Sequence, residues 1–168
     1  LLAVIISPPA FSAENLIVSE NRKEGTTNWL LFNYDQVIAP GNDELWKREK
    51  GVEGYCSHTS IKAGETLKVF VSTEPASTFK IDFYRMGYYG GKGGRLMHSV
   101  NGLKGKTQPA PEEGKKALIE CQWDVSYELK IPSDWPSGVY LGKLQVAAPR
   151  AEAYIIFVVR DERNADLL

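Results

Sequence analysis

A chain of 168 residues whose first dozen do not read as part of a fold has room for one domain with an ordinary core, and none for a second full domain. Hydrophobic residues make up 43% and charged residues 24%, at a formal net charge of -1, which places the chain among globular proteins and excludes the disordered and fibrous classes. Lys and Arg are interleaved with Asp and Glu, as in Asp43 to Lys50 and Arg160 to Arg163, so there is no basic face and nucleic acid is not an expected partner.

The opening run Leu1 to Ile6 is apolar, Pro8 and Pro9 follow, and the small residues Ala10, Ser12 and Ala13 precede the polar Glu14 as at a signal-peptidase site. With neither an initiating Met nor a basic n-region in front, residues 1–13 read as part of a leader, which predicts export to the periplasm or the exterior. The apolar run is far too short to span a bilayer. In an oxidising compartment Cys56 and Cys121 are candidates for a disulfide between two strands, with two buried free thiols as the other reading.

From residue 14 to 160 alternation dominates. The best short helical window, Asp43 to Lys50, is mostly charged and has no sustained apolar period. Gly64 marks a turn before a strand with Leu67, Val69 and Val71 on one face, and Pro75 a turn before Phe79, Ile81 and Phe83, which oppose Lys80 and Asp82. Tyr127, Leu129 and Ile131 alternate again, Pro132 to Gly138 breaks the chain, and Val139 to Val146 is the next strand. Tyr154 to Val159 is apolar on both faces, which predicts a central strand covered by the other sheet on one side and by something else on the other. Many short strands with frequent turns predict an all-β fold, an immunoglobulin-like or fibronectin-like antiparallel β-sandwich. Residues 161–168, polar and then apolar at Leu167 and Leu168, read as a linker or the start of a strand leading to a further C-terminal domain.

The most unusual stretch is Tyr84 to Arg95, dense in glycine, tyrosine and basic residues. It is not a phosphate-binding loop, because Lys92 is followed by Gly93 rather than Ser or Thr, and a β-like stretch follows in place of a helix. Tyr and Arg bury large area and still make hydrogen bonds, so Tyr84, Arg85, Tyr88, Tyr89, Lys92 and Arg95 are the expected interface with a neighbouring domain. A plain exposed hairpin whose positive φ angles demand glycine is the alternative. Cys56, His58, His98 and Cys121 lack the compact spacing of a zinc site, and no nucleophile elbow or metalloprotease motif occurs, so no catalytic, cofactor-binding or metal-ligating residue is expected in this chain. Trp123 and Trp135 fit the edge of a sandwich core or, if exposed, a sugar-stacking platform.

Four segments, Glu20 to Thr26, Glu53 to Ser57, Phe83 to Gly91 and Asp134 to Tyr140, resemble in order and spacing the N,N-dimethylformamidase large (beta) subunit family. The resemblance covers about Glu20 to Leu168 and is similar to that family's N-terminal β-rich region. It implies a following α/β region that hydrolyses an amide bond with one iron held by tyrosine and glutamate oxygens, none of which maps onto this chain. It therefore implies an accessory sandwich packed on the catalytic domain of the same polypeptide, with a homo-oligomer as a further arrangement. The competing expectation is an exported binding module for a carbohydrate or protein. An interface domain should expose an apolar patch around Tyr88, Tyr89 and the last strand, whereas a module should be polar around one concave aromatic site.

Overall fold

Alternation builds the sheets as expected. The computed structural model describes residues 15–32 and 51–161; the leader at 1–13, the charged window at 43–50 and the tail at 162–168 lie outside them. The described chain contains a short helix, α1 (Leu16–Asn21), and the strands β1 (Val52–Cys56), β2 (Ser60–Lys62), β3 (Thr66–Thr73), β4 (Thr78–Met86), β5 (Gly94–Lys104), β6 (Tyr127–Lys130), β7 (Gly138–Val146) and β8 (Ala151–Arg160). One sheet runs β1-β3-β6 and the other β2-β8-β7-β4-β5. Their pairings are antiparallel except that β2 joins β8 in parallel.

The core lies between the two sheets. Leu67, Val69 and Val71 of β3 meet Phe79, Ile81 and Phe83 of β4 together with Tyr140, Leu144 and Phe157, all of them buried. Each such side chain contributes about 1.5–3 kcal/mol on leaving water. Asp82 departs from the expected polar face, because it is buried. It is held by Lys80 at 2.7 Å and by Gln145 at 2.8 Å, while its Oδ1 has no hydrogen-bond partner. Close approach of the sheets requires a glycine at 54, where a Cβ would stand 2.8 Å from both Leu144 Cδ1 and the Phe70 carbonyl.

β8 is not central in its sheet: it lies second from the edge, flanked by β7 and the three-residue β2. Ala151, Ile155, Phe157 and Val159 face the core. The second cover expected for its outer face comes in part from the N-terminal segment 15–32, which crosses the larger sheet as a strap. The Phe32 amide donates to Glu152 Oε2 at 2.8 Å, and the Tyr154 hydroxyl donates to the Trp29 carbonyl. Lys143 Nζ donates to the carbonyls of Asn28 at 3.2 Å and Leu30 at 2.6 Å, so the strap closes over a Lys143–Glu152 ion pair of 3.0 Å. Trp29 lies against Gly93 and Gly94, where a Cβ would come within 2.9 Å and 2.8 Å of its ring.

Candidate functional site: a carboxylate junction and an apolar face

The strap begins with α1, whose start is set by Asn15: its side-chain oxygen accepts from the amides of Ile17 at 2.9 Å and Val18 at 3.4 Å. The helix sits on the sandwich by its polar side. Asn21 Oδ1 accepts from the Tyr88 amide at 2.6 Å, and Glu20, only 3% exposed, enters a nest of donors. Glu20 Oε1 accepts from the Tyr89 hydroxyl at 2.9 Å and from Arg95, with Nε and Nη2 both at 2.7 Å; Oε2 faces Lys23 Nζ at 2.7 Å. Burial alone would raise the Glu20 pKa, but the bonds from Lys23, Tyr89 and Arg95 outweigh it and hold the carboxyl below its ordinary value.

The donors are fixed by the sandwich itself. Arg85, 3% exposed at the end of β4, donates Nε at 3.3 Å and Nη2 at 2.8 Å to the Ser137 carbonyl, and Nη1 at 2.9 Å to the Tyr89 hydroxyl. Tyr89 opens a 3-10 turn, Tyr89–Gly91, with φ of 42°, a left-handed value that is costly for an aromatic residue. Its hydroxyl, bonded to both Arg85 and Glu20, holds it there. Gly90, Gly91 and Gly93, with φ of 65°, 86° and 84°, complete the turn, so the glycine density serves backbone geometry.

This geometry corrects the expected interface set. Tyr84, Arg85 and Tyr89 are interior residues engaged within the domain, and Arg95 is half-buried on Glu20. Tyr88, 71% exposed, and Lys92 are the members that face outward. Glu20 and Lys23 were not singled out for a role in the sequence, although they stand in one of the four family-like segments and have the i, i+3 spacing of a helical ion pair. Three of those segments, at 20–26, 83–91 and 134–140, converge on this junction; the fourth supplies Gly54 to the core.

Cys56 and Cys121 are both free, as in the second of the two readings, except that Cys121 is exposed rather than buried. Successive residues of β1 point to opposite faces. Cys56 packs against the core, while Tyr55 points outward, stacks on Phe70 at 4.7 Å and donates its hydroxyl to the Cys121 carbonyl at 3.2 Å. The two cysteines thus belong to opposite faces of the smaller sheet, and burial pushes the Cys56 thiol up to about 12. Trp123 and Trp135 are buried, the first donating to the Pro109 carbonyl at 2.8 Å and the second stacked on Tyr140 at 4.8 Å, so neither offers a sugar-stacking platform. Among the described residues no group of three His, Cys, Asp or Glu side chains could hold a metal ion, and no helix is long and apolar enough to cross a membrane.

The domain also exposes apolar side chains. With its polar side on the sandwich, α1 turns Leu16 (58% exposed), Ile17 and Val18 to solvent. On the outer face of the larger sheet Val139 pairs with Val158 and Leu141 with Ile156, and Val139, Val158 and Ile156 (61%) are exposed. Two residues further along the same strand face, Arg160 joins Leu16, Ile17, Lys23, Trp135 and Pro136 in lining a cleft of about 490 Å³. The helix and the end of β8 therefore border one cleft, whose lining also includes Lys62 and Asp134.

The architecture is that of a two-sheet β-sandwich domain with an N-terminal strap. Residues 80–168 match the family model described as N,N-dimethylformamidase beta subunit-like, C-terminal, and the chain belongs to that family. That model describes the C-terminal part of such subunits, so the N-terminal position expected from the sequence fits it only loosely. No curated protein matches the chain. Among solved structures it is similar to Spo0M, a sporulation control protein from Bacillus subtilis, at 10% identity and a TM-score of 0.38. The match covers 66% of this chain and 49% of that one, about half of its length.

Proposed function

We propose that this chain is the non-catalytic sandwich of an N,N-dimethylformamidase-like amidohydrolase and that it packs against a catalytic region of the same polypeptide. The observation that supports this reading is the set of exposed apolar residues on α1, β7 and β8: a helix that binds its own domain through Glu20 and Asn21 and presents Leu16, Ile17 and Val18 outward is oriented for a second body. Such residues suit a desolvated interface, and Tyr88 next to α1 adds an aromatic contact at its rim. In this reading the iron implied by the resemblance, and the residues that hold it, belong to the catalytic region. Export by way of the leader is part of the same proposal, tested by locating the protein after cell fractionation.

The test compares amide hydrogen exchange of this chain alone with that of the whole protein. Protection of α1 that appears only in the whole protein is the expected result, since the β8 amides are already bonded within the sheet. Ile156→Asp should remove that protection while leaving the urea midpoint of the isolated chain within about 0.5 kcal/mol of the parent. Equal exchange in both forms, together with saturable binding of a glycan or protein by the chain alone, would overturn this reading in favour of an independent binding module.

A further inference from the structure

We propose that the sandwich carries a preformed carboxylate-binding site, built from Arg85, Tyr89 and Arg95, and that Glu20 of the strap is its tethered ligand. The sandwich supplies all three donors, although the strap also touches their turn through Asn21, Thr26 and Trp29. Arg85 is clamped on the Ser137 carbonyl by two bonds and orients the Tyr89 hydroxyl with a third. Tyr89 is set by the glycine turn, and Arg95 extends from β5, the neighbour of β4. Together they aim a hydroxyl and two guanidinium N–H groups at one oxygen position, a charge-assisted arrangement that suits a carboxylate.

The tethered group, by contrast, brings little of its own attachment energy. The apolar residues of α1 face solvent, so the short helix is held by Glu20 and Asn21 rather than by buried hydrocarbon. The strap further along is fixed by polar contacts to Lys143, Tyr154 and Glu152 and by the Trp29 ring on Gly93 and Gly94. Glu20 is the charged anchor of α1, so another carboxylate can take its place on the donors, and the cleft that Glu20 and Lys23 help to line opens to solvent. This inference stands apart from the docking reading, because it concerns donors inside the domain and requires no partner.

Chemical rescue in the full chain tests it. Glu20→Ala removes the carboxylate and its methylene, leaving a space the size of acetate over three intact donors. Tryptic cleavage after Arg22 and Lys23 should become roughly tenfold faster, the factor expected for losing charge-assisted hydrogen bonds, while β7 and β8 stay protected. Acetate should then slow cleavage saturably, chloride at equal ionic strength should not, and the Glu20→Ala, Arg95→Ala double variant should not respond. Acetate acting no better than chloride would overturn the proposal and leave the junction as a structural ion pair. Should Glu20→Ala fail to fold, its refolding yield is read against acetate and chloride, and the lack of an acetate-specific gain overturns the proposal equally.

Discussion

Glu20 and the two cysteines show how one side chain's surroundings set its behaviour. The folded-state pKa of Glu20 is depressed, so its contribution to holding the strap is complete above the ordinary carboxyl value of 4.5 and is lost as pH falls through the folded value. The indole N–H of Trp29, bonded to the Lys92 carbonyl at 3.0 Å, reports on the strap, and its NMR shift should move toward the free position only below that ordinary range. Glu20→Gln should remove this acid step. Tyr89→Phe deletes the hydroxyl that joins Arg85 to Glu20 and should cost about 1–3 kcal/mol in urea unfolding, since two buried partners are left short of a bond. Alkylation of native protein should label Cys121 and spare Cys56, whose thiol is half-buried and raised to about 12; intact mass should show one adduct before denaturation and two after it.

At the scale of elements, β1 and the strap are each placed by steric detail rather than by propensity. Gly54→Ala would drive a Cβ to 2.8 Å from a backbone carbonyl of the adjacent β3 and from Leu144 of the facing sheet. It should destabilise by about 1–3 kcal/mol in equilibrium unfolding, as overpacked cores do. The strands β3, β4, β6 and β7 were legible because each alternates over a half-buried surface, and period two is a local property of sequence. α1 was not legible: six residues give no sustained period, and the apolar triplet Leu16-Ile17-Val18 resembles a leader's end more than a helix whose polar side faces inward. Asp82 and Lys143 were hidden for a related reason, since their partners lie on other strands or on the strap, and alternation assigned that face to solvent.

For the whole molecule, the decisive property is the set of exposed apolar residues on α1, β7 and β8, which the exchange comparison and Ile156→Asp address. Family membership was legible in the segments at 83–91 and 134–140, which lie within the matched residues 80–168 and whose glycines, tyrosines and charges have an unusual spacing; with the segment at 20–26 they build one junction. Which of their residues face outward was not legible. A tyrosine-rich, arginine-bearing loop has the same composition whether it docks on a neighbour or folds back on its own domain, and only the path of the strap puts Glu20 beside Arg95 and Tyr89. The sequence by itself determined the β class, the strands β3, β4, β6, β7 and β8 and the turns between them, because those follow from local alternation and from Gly and Pro dihedral limits. The tertiary structure alone decided the parallel β2–β8 pair, the free thiols, the buried carboxylate and the exposed face, because each depends on which distant segments meet, and contacts of that kind have no local signature.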